Sequence, residues 1–268
     1  MKLTLDLHVH SDASFDGRMS VRQIALLAKA RGIDGVAICD HDVVYTGPTE
    51  VEGVLIIPGA EFSTEHGHLL GLFLTAPIQY TTWKETVQAI HDQGGITVLA
   101  HPYQNKRSGS LEPFRPILDD IDAVETWNSR ANRKYPHAND NAFILALMRN
   151  KLSTGGSDAH VPQEVGRGFL TVDVEERTLA AVKAQILGGL THDLAVPVGG
   201  NAGSLVLGVH DVQIKGLGQL TGELGAGPAH QLALGLGLAG VGVHILDDLA
   251  QRLNAGAYSF SHCSSPPH

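Results

Sequence analysis

Leu3-Thr4-Leu5-Asp6-Leu7-His8-Val9-His10 is an apolar run that closes on two histidines. It reads as a strand, and with a side-chain period of two the imidazoles of His8 and His10 project to one face at its end. One such pair is a weak signal. Further ligand-capable side chains follow at the ends of later apolar runs: Asp16 in Ser14-Phe15-Asp16-Gly17, His41 in Cys39-Asp40-His41-Asp42 and Glu61 in Gly59-Ala60-Glu61-Phe62. His68 in Gly67-His68-Leu69-Leu70, His101 in Ala100-His101-Pro102, and Asp158 with His160 in Ser157-Asp158-Ala159-His160 complete the set. Recurrence at successive strand ends points to a polynuclear metal hydrolase and away from a structural zinc module.

Between these motifs, strand and helix signals alternate. Strands are expected over Leu3–His8, Ile33–Cys39, Val54–Ile57, Leu69–Leu74, Ile96–Ala100, Asp122–Trp127 and Phe169–Val174. A capping box, Ser20-Val21-Arg22-Gln23, starts a helix that Gly32 closes, and Thr82-Trp83-Lys84-Glu85 caps another ending at Gly94-Gly95. Further helices are expected over Pro136–Asn150 and Glu175–Leu187. Repeated βα units imply mostly parallel strands, and ligands at their C-terminal ends then share the catalytic face of a barrel. Past Gly188-Gly189 the composition shifts: the last 78 residues hold 14 of the 31 glycines and no aromatic residue before Tyr258. The expected division is therefore a barrel over 1–190 and a Gly-rich extension over 191–268, in which only Val243–Leu253 has helical periodicity. The extension reads as an interaction tail or a poorly ordered end, and no chemistry is assigned to it.

On these motifs, over about residues 1–190, the chain resembles the PHP (polymerase and histidinol phosphatase) family of metal-dependent phosphoesterases. The resemblance implies a distorted seven-stranded (β/α)7 TIM-like barrel holding two or three divalent metal ions, with manganese, iron or zinc as candidates. It implies that His8 and His10 hold a first metal with Asp158, and that Glu61 bridges it to a second held by His68 and His101. Asp16, His41 and His160 would hold a third. The family sometimes has His where this chain has Asp16, which makes the third site richer in oxygen and more tolerant of manganese. Glu61, Asp158 and His160 are then the catalytic residues. The implied reaction is attack by a metal-bridging hydroxide on the phosphate ester of a small phosphorylated metabolite or nucleotide. Some relatives carry a helical insertion after the Glu-bearing strand. Here the chain runs directly from Glu61 to His68, which implies a compact barrel with an open site.

No other catalytic pattern competes. There is no Gly-x-Ser-x-Gly elbow and no phosphate loop ending in Lys-Ser/Thr, and Cys39 is expected to be a buried thiol. A phosphate dianion calls for a guanidinium. Arg18, Arg130 and Arg167 lie near ligand-bearing loops, Arg130 and Arg167 being the preferred clamps, and His137 is a further substrate-binding candidate. His66 is a spare ligand or substrate contact, and His91 is expected to be exposed without a partner. Asp6, and at least one of Asp40 and Asp42, are expected to orient ligand imidazoles.

A net charge of −9 argues against an extended nucleic-acid surface. Two cysteines suit a reducing compartment, and no apolar stretch suits a signal peptide or membrane span, so a cytoplasmic protein without membrane partners is expected. Two other readings stay open: a metal-dependent hydrolase of a non-phosphate ester or amide bond, and a non-catalytic PHP module that stabilises a partner. The intact ligand set weighs against the second, because buried charged ligands without metal are costly.

Overall fold

The computed structural model of the chain describes residues 1–79, 82–104, 114, 116–135, 137–188, 193–197 and 204–208. In chain order the elements begin β1 (Lys2–Val9), α1 (Val21–Ala30), β2 (Gly35–Ile38), β3 (Glu50–Val51), β4 (Val54–Thr64), β5 (Gly67–Leu72), α2 (Trp83–Asp92) and β6 (Ile96–Leu99). They continue with β7 (Ala123–Asn128), α3 (Ser129–Lys134), α4 (Ala138–Met148), β8 (Leu152–Gly156), β9 (Phe169–Asp173), α5 (Leu179–Gly188), β10 (Asp193–Pro197) and β11 (Ser204–Gly208).

Seven strands, β1-β2-β4-β5-β6-β7-β8, form a nearly closed barrel of the expected class. Its seam is closed just past β8, where the Asp158 N–H donates to the His8 carbonyl at 2.8 Å and the His10 N–H to the Ala159 carbonyl at 2.9 Å. Gly156 permits this approach, since a Cβ there would sit 2.5 Å from that of His8. At the other end of β1, Lys2–Leu5 pairs antiparallel with β9, and β10 and β11 extend the sheet outward from β9.

The expectation of mostly parallel strands needs correction at β5. β4 runs on past Ile57 to Thr64, turns over Glu65 and His66, and returns as β5, which is antiparallel to both β4 and β6. Two residues cannot carry a parallel crossover, so the direction of β5 follows from the length of its connection. Gly67, at φ 117°, supplies the positive φ at the end of that turn. The ladders β1–β2, β2–β4, β6–β7 and β7–β8 are parallel.

α1 has the expected capping box, and Thr82 caps α2 by accepting from the Glu85 N–H. The Pro136–Asn150 expectation corresponds to α4, which the separate short α3 precedes. β8, with its two terminal glycines, carried no sequence expectation.

Leu3, Leu5, Leu7, Ala37, Cys39, Leu55, Ile57, Leu70, Leu72, Val98 and Ala123 pack together from the strands as the barrel interior. Val9, Val36, Ile38, Val54 and Ile56 instead pack against Ile24, Ala25 and Ala28 of α1. Val9 is thus on the opposite side from Leu3, Leu5 and Leu7, and the β1–β2 register shifts between Asp6 and Val9. Such a bulge re-aims side chains. Here it lets His8 and His10 continue inward above the leucine layer.

β10 and β11 carry the sheet on past residue 190. Val243–Leu253 and the rest of the extension after Gly208 lie outside the described residues. Among the described residues no helix is long and apolar enough to cross a membrane.

Candidate metal centre

The nine side chains singled out from the sequence converge at one end of the barrel, formed by the C-terminal ends of the parallel strands and by the N-terminal end of β5, which carries His68. His8 and His10 rise from β1, and their Nε2 atoms face each other at 3.1 Å. Asp158, in the loop after β8, places Oδ1 3.3 Å from His10 Nε2 and 3.8 Å from His8 Nε2. Glu61, on β4, is at the centre. Its Oε1 lies 2.7 Å from His68 Nδ1 and 2.9 Å from His101 Nε2. Its Oε2 lies 3.3–3.4 Å from His8 Nε2, His10 Nε2 and His41 Nδ1. The two oxygens therefore face two sets of imidazoles. Asp16 Oδ2 lies 2.9 Å from His160 Nε2 and 3.5 Å from His41 Nε2.

These atoms fall into four overlapping groups compact enough to hold a cation: His8 with His10 and Asp158; His8 with Glu61 and His101; His41 with Glu61 and His68; and His10 with Asp16, His41 and His160. Burial grades the set from floor to mouth. His8, His10, Glu61, His101 and Asp158 are buried, whereas the side chains of Asp16 and His68 are each 32% exposed. At the mouth Phe15 stacks on His41, ring centroids 5.1 Å apart, and is itself 87% exposed.

The electrostatics follow from this packing. Burial opposes charge on Glu61, but His8 and the hydrogen bonds from His10, His101 and His68 hold it well below the usual carboxylate range. Asp158 is lowered in the same way: burial opposes the charge and His8 and His10 override it. Burial would lower His10, yet Asp158 and Glu61 raise it to about 9. His41 and His160 go down through burial, which keeps their lone pairs free near neutral pH. His41 Nδ1 is buried with no hydrogen-bond donor or acceptor satisfying it. Imidazoles whose nitrogens face one another, acids that face chiefly imidazoles and this orphaned nitrogen together fit divalent cations. Two of the proposed ligands have left-handed backbones, His101 at φ 24° and Asp158 at φ 56°, the kind of strain that clusters at functional sites.

The second tier departs from the sequence reading. Asp6 binds no imidazole. The bulge puts His8 on the other face, and Asp6 meets the loop past β8, where it accepts from Ser157 N (2.8 Å), Ser157 Oγ (2.6 Å) and Gly166 N (2.8 Å). Burial raises its pKa to about 6 against those donors. Asp40 accepts from Ser11 N and Oγ, both at 2.6 Å, and Asp42 from Ser63 N at 2.9 Å. Asp6 and Asp40 anchor ligand-bearing loops, and Asp42 anchors the end of β4, all by backbone N–H groups. The carboxylate that does meet a ligand ring is Glu125 on β7, 2.9 Å from His8 Nδ1. Sequence reasoning missed it, although one acid inside Ala123-Val124-Glu125-Thr126-Trp127 was a visible anomaly.

Among the proposed substrate contacts, Arg130 stands at the rim. It is paired with Glu164 at 3.3 Å, and Glu164 also accepts from the His160 N–H and from Arg133. Arg18 is exposed on the loop whose backbone N–H reaches the His160 carbonyl. Arg167 is not brought to the cluster: it lines a recess with Thr4, Arg31, Ile33 and Phe169, beside the start of β1. His137 is 82% exposed and, among the described residues, pairs with Asp140 of its own helix. His66 stands edge-on to Trp83. His91 is exposed as expected but does have partners, Asp122 at 3.0 Å and Thr97 at 3.2 Å. Cys39 is buried, as expected, and burial pushes its thiol far up.

Comparison with known proteins gives the same picture. Residues 6–103 match the PHP domain, and residues 136–191 match the PHP-associated domain. An uncharacterised protein of Methanocaldococcus jannaschii is 33% identical over 63% of this chain and 70% of its own length. A probable phosphatase of Acetivibrio thermocellus is 26% identical over 62% of this chain and 83% of its own. Among solved structures, a two-domain protein from Bacteroides vulgatus containing a predicted PHP-like metal-dependent phosphoesterase superposes with a TM-score of 0.56 at 19% identity. That match covers 72% of this chain and 65% of the other, and it speaks to the fold.

Proposed function

The chain belongs to the PHP family and is a metal-dependent hydrolase of phosphate esters; from that premise we propose that it cleaves the phosphate ester of a small phosphorylated metabolite or nucleotide at the cluster centred on Glu61. The observation that carries the reading is the position of Glu61, whose two oxygens face separate sets of imidazoles, as a bridging carboxylate requires. His8, His10 and Asp158 would hold one divalent ion, His68 and His101 a second with Glu61 between them, and Asp16, His41 and His160 a third. Bound there, manganese, iron or zinc would activate water and neutralise phosphoryl charge.

The chain's own residues supply the rest. Arg130, tethered by Glu164 near His160, offers guanidinium N–H groups to a non-bridging phosphate oxygen. Arg18 is a second exposed cation on the loop that carries Asp16. The buried floor excludes bulk water from the ligand side, while the mouth at Asp16, His68 and Phe15 admits the ester. Phe15 is an exposed aromatic face beside the cluster and favours a leaving group with a planar ring, hence a nucleotide over an unadorned sugar phosphate.

A panel of phosphate monoesters, phosphodiesters, lactones and amides, assayed after reconstitution with manganese or zinc, tests the proposal. Turnover is expected on phosphate esters. Turnover confined to lactones or amides would overturn it.

A further inference from the structure

We propose that Glu125 is the positioning residue of the metal centre: one buried carboxylate that sets the tautomer of His8 and holds the strained backbone of His101. The proposal rests on the reading of the nine side chains as metal ligands. It assigns a role to a residue outside that set.

Glu125 is buried in the middle of β7, and both its oxygens are used. Oε1 lies 2.9 Å from His8 Nδ1. Oε2 accepts the His101 backbone N–H at 2.8 Å and the Asn128 side-chain amide at 3.0 Å. That amide also stands 3.3 Å from Asp158 Oδ2. Asn128 is in turn fixed from two sides. Its Oδ1 caps α3 through the Ala131 N–H at 2.7 Å, and Asn139 of α4 grips its backbone N–H at 3.1 Å and its carbonyl at 3.3 Å. The carboxylate is therefore braced by two helices and reaches three of the proposed ligands, which come from β1, the end of β6 and the loop after β8.

The chemistry follows from what an ionised carboxylate does. It accepts only, so the ring nitrogen facing it carries the proton. With Nδ1 protonated, Nε2 keeps its lone pair, and Nε2 is the atom that points at His10, Glu61 and Asp158. The same carboxylate anchors His101 in a left-handed conformation that a non-glycine residue adopts at a cost, and so aims its Nε2 at Glu61.

Glu125→Gln tests this with little change of shape. An amide oxygen that keeps the His101 N–H turns the amide NH2 toward His8 Nδ1. His8 is then driven to the other tautomer, with its proton on Nε2. Zinc affinity, measured by competition with a chromophoric chelator, is expected to fall roughly 10–100-fold. The metal-free variant should keep the wild-type fold by circular dichroism, with a lower melting temperature because a buried charge partner of His8 is lost. Wild-type zinc affinity in the variant would overturn the role of Glu125 while leaving the proposed function intact. A wild-type protein that binds none of zinc, manganese and iron would overturn both.

A second measurement does not depend on the variant folding. Long-range ¹⁵N NMR of the zinc-loaded wild-type protein should show His8 protonated at Nδ1. Protonation at Nε2 would overturn the proposal by itself.

Discussion

The two ends of the barrel use the same side chains to different purposes. At the N-terminal ends of the strands, Asp122 accepts from Thr97 N (2.9 Å), Thr97 Oγ1 (2.8 Å) and His91 Nε2 (3.0 Å), and Asp34 accepts from Thr4 N (2.8 Å). Both acids meet donors there. At the C-terminal ends, Glu61 and Asp158 meet almost only imidazoles, and His41 Nδ1 meets nothing that satisfies it. Composition alone does not separate the two ends. An acid paired with backbone N–H groups is a staple, whereas a buried acid that faces a ring of imidazoles leaves a charge problem for a cation to solve. By the same criterion Asp6 and Asp40, although beside the cluster, are staples.

The sharpest way to break this comparison is to substitute one acid at each end. Glu61→Gln should lower turnover of the metal-loaded enzyme by at least about 100-fold, because a bridging ligand places both charge and water. Asp122→Ala should leave turnover near wild type and cost about 1–3 kcal/mol of stability in urea titrations, since the buried Thr97 loses its acceptor. Equal losses of activity from the two changes would remove the distinction.

The arginines give the next test. Arg130→Ala should lower kcat/KM about tenfold, in keeping with one lost charge-assisted contact to phosphate. Arg167→Ala, at the recess beside the start of β1, should leave it unchanged. A smaller effect is expected at the mouth: Phe15→Ala should raise KM for nucleotides about fivefold, the loss of one stacking contact, and leave KM for glycerol phosphate as it was.

The metal-free protein supplies the smallest effect, read as a trend. His10 has a folded pKa of about 9 against an ordinary 6.5, so its contribution is complete below pH 6.5 and fades as pH rises through 9. The melting temperature of metal-free protein should therefore drop between pH 6.5 and 9, with Asp6, raised to about 6, shifting stability only at lower pH. Zinc-loaded protein should lack the drop, because ligation replaces the proton on His10. A drop of equal size in both forms would contradict this account of His10.

Much of the site was legible because its information is local. His8-Val9-His10, Ala100-His101-Pro102 and Asp158-Ala159-His160 each place ligand-capable atoms at a strand end without reference to the rest of the chain. What was less legible depends on partners distant in sequence. The role of Asp6 turns on a bulge in β1 and on Ser157 and Gly166, more than 150 positions away. Glu125 meets His8 only because β7 and β1 both border β8 in the closed barrel. Arg167, only seven residues past His160, is carried to another recess by the chain entering β9. The direction of β5 is a different case: the two-residue link between Thr64 and Gly67 was visible in the sequence, and the βα pattern around it obscured what it meant.

The central claim is that the C-terminal face of the barrel is a multinuclear metal site built for phosphate esters. Elemental analysis of protein expressed in metal-supplemented medium, paired with phosphatase assays before and after chelation and re-addition of manganese or zinc, tests it most directly. The account predicts two or three transition-metal ions per chain, loss of turnover on chelation and its return with the metal. Less than one ion per chain, with no activity on adding either metal, would contradict it.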